Sequence, residues 1–276
     1  MIHQNNNITN VIFIDNQEDK RLGAYLDIKE KDLVGRQSRF IAEGKVVLNV
    51  LLNSSYFETE SILISKNKLA GMQPILKHCP AQVPIYVVSP DHMDKIAGFH
   101  VHRGILAVGK RKNENNINDL INNLSSNSLL VILCGISNHD NIGSVFRNAA
   151  AFEAACVLLD ETCCDPLYRK AIRVSVGASL QVPYVQAGNI DSIVQTVSKA
   201  GIQLIALSPG SSQSLYELPV SGPAALLLGT EGEGLPQHLL TSLQTARIPM
   251  SKQFDSLNIA TASGIALSCL SRTKFS

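Results

Sequence analysis

Arg147 stands among residues that are otherwise apolar or small: Val145, Phe146, Ala149 and Ala150. A guanidinium rising from so apolar a helix needs a partner or a water-filled cleft. What it offers chemistry is a permanent positive charge for an anion or a developing alkoxide. It lies one helical turn past Gly143, on the same face, and Asn141 or Asp140 can cap that helix. A second candidate is Leu226–Pro236, LLLGTEGEGLP, where an apolar run breaks into glycines carrying Glu231 and Glu233. Its G-x-x-G-x-G spacing is neither a dinucleotide fingerprint nor a phosphate loop. Two carboxylates there repel phosphate and suit hydroxyls or a cation. The third is Arg247–Leu267, RIPMSKQFDSLNIATASGIAL, with Ser256 and Asn258 ahead of a helix rich in small residues. Each has a plainer reading: a surface arginine, solvated glutamates in a tight turn, and Ser256 as an ordinary helix cap.

These residues need elements to hold them. After residue 128, strand-like runs at Leu129–Cys134, Ala155–Leu159, Val182–Val185, Gln203–Leu207, Ala224–Gly229 and Arg247–Met250 alternate with helical patterns. The helical patterns are Ile142–Phe152, Pro166–Val174, Ile190–Ala200, Pro236–Leu243 and Asn258–Leu270. Such alternation predicts a mostly parallel sheet with helices on both faces, whose ligands gather at the carboxyl ends of the strands. Residues 111–128, rich in Asn and Ser, are expected to be a linker, with Ile117, Leu120, Ile121 and Leu124 able to form a short amphipathic helix. Residues 1–110 are expected to be a small α/β domain, with a helix over Ser38–Leu52 and strands near Ser61–Ser65, Val83–Val88 and Ile105–Val108. Residues 129–276 then form the second domain.

Bulk properties exclude more than they assign. The 276 residues are 45% hydrophobic, enough for a real core, and their longest apolar runs are too short to cross a membrane. The polar Met1–Asn10 lacks a signal-peptide pattern, so a cytoplasmic protein is expected. Six cysteines without a C-x-x-C pair read as free, mostly buried thiols, including the adjacent Cys163 and Cys164. His100 and His102 share a strand face but have no third ligand nearby, so no metal is expected. Net charge is +1, with 15 basic against 13 acidic residues through Asn127 and 9 against 10 after it. Composition therefore gives no electrostatic signature of a nucleic-acid binder.

In this order, the three loops resemble the signature motifs of the SpoU/TrmH family of RNA ribose methyltransferases. Asn141, Gly143 and Arg147 match N-x-G-x-x-x-R; Gly229, Glu231 and Gly234 match its glutamate-glycine loop; Ile248, Pro249, Ser256, Leu257 and Asn258 match its I-P…S-L-N segment. Lys170-Ala171-Ile172-Arg173 through Ser175 and Gly177 also resembles a family segment. Upstream, Phe40–Gly44, Gly98-Phe99 and His102-Arg103-Gly104 are similar to the family's amino-terminal RNA-holding domain.

The resemblance implies a SPOUT-type α/β domain with a deep trefoil knot, preceded by a small α/β RNA-binding domain, in a homodimer. It implies S-adenosylmethionine as cofactor, which joins hydroxyls and cationic groups without phosphate, and ribosomal or transfer RNA as substrate. By the same resemblance Arg147 stabilises the 2′-oxygen, while Asn141, Glu231, Ser256 and Asn258 orient it, the substrate and the cofactor. The cofactor is expected against Leu207, Ser208, Gly229, Thr230, Glu231, Gly232, Ile248, Met250, Leu257 and Asn258. Arg36, Arg39, His102 and Arg103 are the candidate RNA contacts. The competing readings are an inactive RNA-binding protein of the same fold, a base methyltransferase, and a nucleotide-dependent oxidoreductase. The last lacks any G-x-G-x-x-G after a strand.

Overall fold

The computed structural model describes residues 10–271 except 17, 27, 29–32, 35–37, 252 and 254. Contacts divide the chain into two compact units, Met1–Asn113 with Leu167–Leu180, and Glu114–Pro166 with Gln181–Ser276.

The first unit is built on a mixed sheet. Its strands are β1 (Val11–Phe13), β2 (Arg39–Glu43), β3 (Phe57–Ser65), β4 (Ile85–Val88) and β5 (Ile105–Arg111), in the order β1-β4-β3-β5-β2. β1, β4 and β3 are mutually parallel, whereas β5 runs antiparallel to both β3 and β2. The helix expected over Ser38–Leu52 is only partly present. Arg39–Glu43 is a strand paired with β5, and the helix α1 covers Lys45–Leu52. Cross-strand pairing overrides the local helical spacing, and Gly44, at φ +93°, makes the break between the two. α2 (Leu69–Leu76) and α3 (Pro90–Ala97) complete the amino-terminal part.

The segment Leu167–Leu180 carries α6 (Arg169–Val174) within this unit. Arg169 donates from Nη1 to Glu43 Oε2 at 2.9 Å, and Glu43 is only 5% exposed. The same guanidinium lies 4.0 Å from the Phe99 ring centroid, so its flat face is covered while its edge meets the carboxylate. Ser54 Oγ donates to the Leu180 carbonyl at 2.9 Å, tying down the far end.

The second unit opens with α4 (Ile117–Asn122). Ile117, Leu120, Ile121 and Leu124 pack on this unit's core, so much of the stretch expected as a linker is folded against it. Its sheet contains β6 (Leu129–Leu133), β7 (Cys156–Leu159), β8 (Tyr184–Gln186), β9 (Gln203–Leu207), β10 (Ala224–Leu228) and β11 (Gln244–Ala246). The order is β11-β9-β10-β6-β7-β8, and every pairing is parallel. Central strands β6 and β10 are buried at every residue, as their unbroken apolar sequences require. Leu130 and Ile132 of β6, Leu204 and Ala206 of β9, and Ala225 and Leu227 of β10 share one core face.

The helices of this unit are α5 (His139–Ala151), α7 (Ile190–Lys199), α8 (Gln237–Ser242) and α9 (Ile259–Leu270), besides α4. Asn138 caps α5 by accepting from Asp140 N at 2.8 Å, which puts Asn141 inside the first turn and corrects the expected cap. The last strand also lies earlier than expected, at Gln244–Ala246 instead of Arg247–Met250. Arg247 is taken by the 213–215 loop, donating to Gln213 O and accepting from Leu215 N, and Pro249 has no N–H to extend a ladder. The small-residue helix α9 lies against α5, with Asn148 Nδ2 donating to Ala260 O at 2.7 Å and Ser263 Oγ at 2.9 Å.

Candidate functional site

The sheet order reverses beside β6: the chain runs out through β7 and β8, then returns to place β10 next to β6. Crevices at such points, outside the carboxyl ends of strands, are where open α/β sheets hold ligands. A cavity of about 470 Å³ lies on the β10 side of that reversal, walled by the loops that follow β9, β10 and β11. Leu207, Ser208 and Pro209 form one side; Gly229, Thr230, Glu231 and Gly232 form the second; Ile248, Met250, Ser256, Leu257 and Asn258 form the third.

All ten residues expected against the cofactor line this one cavity, together with Ser256. Glu233 and Gly234 of the glutamate-glycine loop line it as well, and the lining residues that the sequence did not point to are Leu228, Leu235, Leu240, Ile259 and Ala262. Gly234 was readable as a glycine of the loop, but the inward faces of α8 and α9 depend on how those helices dock.

The glutamate loop is held shut by its own backbone. Thr230 N donates to Gly234 O and Gly234 N to Thr230 O, both at 3.2 Å. A Cβ on Gly229 would meet the backbone carbon of Gly234 at 2.3 Å, so only glycine allows the loop to fold back this closely. The loop then presents Glu231 to Asn258, whose Nδ2 donates to Glu231 Oε1 at 2.8 Å and to Asn141 Oδ1 at 3.3 Å. Asn258 Oδ1 accepts from Ala260 N at 2.8 Å, capping α9, and this fixes which end of the amide faces the glutamate. One side chain thus joins α5, the β10 loop and α9.

The electrostatics are one-sided. Glu231 and Glu233 line the cavity, and no lysine, arginine or histidine does so among the described residues. Among the described lining residues a phosphate-bearing ligand finds no counter-charge, whereas a cationic group finds two carboxylates and a hydroxyl finds acceptors. Size and backbone-rich lining fit a small organic cofactor.

Arg147 is not part of that wall. It is exposed on α5, whose first turn carries Asn141. Behind the cavity, Asp160 is 4% exposed at the end of β7 and accepts from the backbone of Gly135 and Cys163. Burial, then the Asp160 carboxylate, pushes the neighbouring Cys134 thiol up to about 12, and burial alone does the same for Cys156. All six cysteines are free.

The RNA candidates belong to the first unit, apart from Arg36, which lies outside the described residues. Arg39 is engaged by Glu60 through both its Nε and Nη2, at 2.7 and 2.6 Å. His102 is exposed, its ring edge-on to His100 with centroids 4.4 Å apart, and His100 pairs with Asp94. Arg103 is exposed and lies over Gly44, where a Cβ would meet its Cδ at 2.6 Å. Among the described residues no group of three or more His, Cys, Asp or Glu could hold a metal ion, and no helix is long and apolar enough to cross a membrane.

Comparison with known proteins agrees with this architecture. A Mycobacterium tuberculosis protein named as an uncharacterized tRNA/rRNA methyltransferase is 34% identical, over 90% of this chain and 88% of its own length. The 23S rRNA (guanosine-2′-O-)-methyltransferase RlmB of Vibrio parahaemolyticus is 31% identical, over 63% of this chain and 71% of its own. The fold matches that of the AdoMet-bound rRNA methyltransferase of Sinorhizobium meliloti, with a TM-score of 0.81 at 21% identity, covering 97% of this chain and 100% of that one. Residues 128–268, which span the cavity and all three loops, match the SpoU rRNA Methylase family. The chain belongs to that family.

Proposed function

We propose that this protein transfers a methyl group from S-adenosylmethionine to a ribose 2′-hydroxyl of RNA, with ribosomal RNA the favoured class ahead of transfer RNA. The observation that carries the reading is the cavity itself: three loops at parallel strand ends, two glutamates and no basic side chain among the described lining residues. That wall suits a cofactor with ribose hydroxyls, an amino group and a sulfonium, and disfavours phosphate-bearing nucleotides. The relatives named for 23S rRNA 2′-O-methylation and for tRNA/rRNA methylation support the substrate class.

In this reading the backbone of Leu207–Pro209 and Gly229–Gly232, with the apolar side chains of Ile248, Met250 and Leu257, holds the cofactor. The bound cofactor supplies an electrophilic methyl group on a positively charged sulfur, which needs no metal. The protein's share is to orient the ribose and stabilise the charge that grows on its 2′-oxygen as the proton leaves. We assign that charge stabilisation to Arg147. A guanidinium seldom releases its own proton, so the ribose proton passes to water or to a phosphate oxygen of the RNA. Asn258 keeps Glu231 turned toward the cavity and ties it to Asn141 on the helix that bears Arg147.

Arg147 stands exposed, outside the cavity lining of its own chain. We therefore include in the proposal a homodimer in which a second copy helps complete the site. The deep knot of the family, a cytoplasmic location, and RNA contacts by His102 and Arg103 through phosphates belong to the same reading. Isothermal titration with S-adenosylhomocysteine, ATP and NAD tests the cavity. Binding of the first alone is expected; preference for either phosphate-bearing nucleotide would overturn the cofactor assignment.

A further inference from the structure

We infer that Asp160 is a positioning residue for the cofactor cavity, acting through the turn at Gly135 and through Thr230. The inference rests on the reading that this cavity holds S-adenosylmethionine. Asp160 lies outside the three signature loops and does not line the cavity. It is nevertheless a buried carboxylate, 4% exposed, surrounded by donors. Gly135 N lies 3.1 Å from each of its oxygens, and Oδ1 also accepts from Thr162 N at 3.1 Å, Thr162 Oγ1 at 2.9 Å and Cys163 N at 3.0 Å. A group that accepts this many bonds fixes the backbone that makes them.

What it fixes matters because of where Gly135 sits. Gly135 follows β6 with φ +71°, a turn open to glycine and strained for other residues. A Cβ placed there would meet Thr230 Cγ2 at 2.6 Å, so the bare α-carbon of Gly135 backs directly on the Thr230 side chain. Thr230 closes the glutamate loop through its paired bonds with Gly234, and the next residue is Glu231. Beyond Gly135 the strand end is clamped again: Ile136 N donates to Cys163 Sγ at 3.3 Å, and Cys164 N to Ile136 O at 2.9 Å. That loop leads into the Asn138 cap and Asn141. One buried carboxylate therefore sets the height of the wall behind Thr230 and the entry to the helix that bears Asn141.

The test is S-adenosylhomocysteine affinity, measured by titration alongside thermal stability, in three variants of the full chain. Asp160→Asn keeps the shape but sets an amide NH₂ beside the Gly135 N–H, and should weaken binding about tenfold, the scale of one lost bond to a charged group. Gly135→Ala should weaken it at least as much. Gly135→Ala combined with Thr230→Ser, which removes the obstructing methyl, should recover part of that affinity. A purely structural role would lower thermal stability without this selective recovery. Wild-type binding together with unchanged affinity in Asp160→Asn, or no recovery in the double variant, overturns the inference. Failure of the wild-type protein to bind overturns the cofactor reading and this inference with it. If Asp160→Asn does not fold, the single and double Gly135 variants decide the matter alone.

Discussion

In the second unit all six strands are parallel, so every strand's carboxyl end opens on the same edge and the loops that follow meet there. In the first unit β5 runs against β2 and β3, and the connections divide between opposite edges. The consequence is visible in the charged residues. Glu231 of the second unit lines a cavity and is steered by Asn258. Glu43 of the first is buried and paired with Arg169, whose guanidinium stacks on Phe99, and serves the fold. A parallel sheet turns motif spacing into a site; in the mixed sheet, the same kinds of residue must each be located one by one.

Five substitutions break or sharpen this contrast. The largest effect is expected in the second unit: Arg147→Ala should lower the methyl-transfer rate by about 100-fold or more, as loss of a charge-stabilising donor does. S-adenosylhomocysteine affinity should stay within about twofold, since the side chain lies outside the cavity wall. Parallel loss of both quantities in steady-state kinetics and titration would make Arg147 structural.

Next is Arg169→Ala in the first unit, which strands a buried Glu43 carboxylate and should cost about 3 kcal/mol in denaturant unfolding. Cofactor affinity should not change in the protein that remains folded. A shifted affinity would show that the division of labour between the units is wrong.

Asn258→Ala removes the α9 cap and both bonds to Glu231 and Asn141. We expect a loss of about 1–2 kcal/mol in stability and a drop in kcat/KM of about tenfold. Unfolding curves and kinetics on the same preparation check both. The smallest effect is expected for Arg39→Ala. Its two-pronged pair with Glu60 is partly exposed and should be worth less than about 1 kcal/mol. Arg103→Ala, by contrast, should reduce RNA affinity and lower the salt slope by about one unit. Equal RNA effects from the two would mean that the ion pair opens to bind phosphate.

These contrasts also explain what the sequence revealed. The alternation after residue 128 was legible because buried parallel strands are unbroken apolar runs, as in Leu129–Leu133 and Ala224–Leu228. The cavity residues were legible through the resemblance of the three loops to the family's motifs, which tie glycines, a glutamate and an asparagine to fixed offsets from strand ends. Arg39–Glu43 was misread as helix because its partner strand, Ile105–Arg111, lies far along the chain. Asn138 was missed as the α5 cap because several residues nearby cap equally well on paper. Arg39 offered no sign of Glu60, which reaches it only across the sheet. Asp160 carries no motif at all, and its importance comes from backbone donors that a sequence does not display.

The measurement that bears most directly on the whole account is transfer of labelled methyl from S-adenosylmethionine into ribosomal and transfer RNA from cells lacking this protein. The RNA is then digested to nucleosides. The account predicts label in a 2′-O-methylnucleoside of ribosomal RNA, abolished in Arg147→Ala. Label in a base, or no label in either RNA from a protein that binds the cofactor, would contradict it.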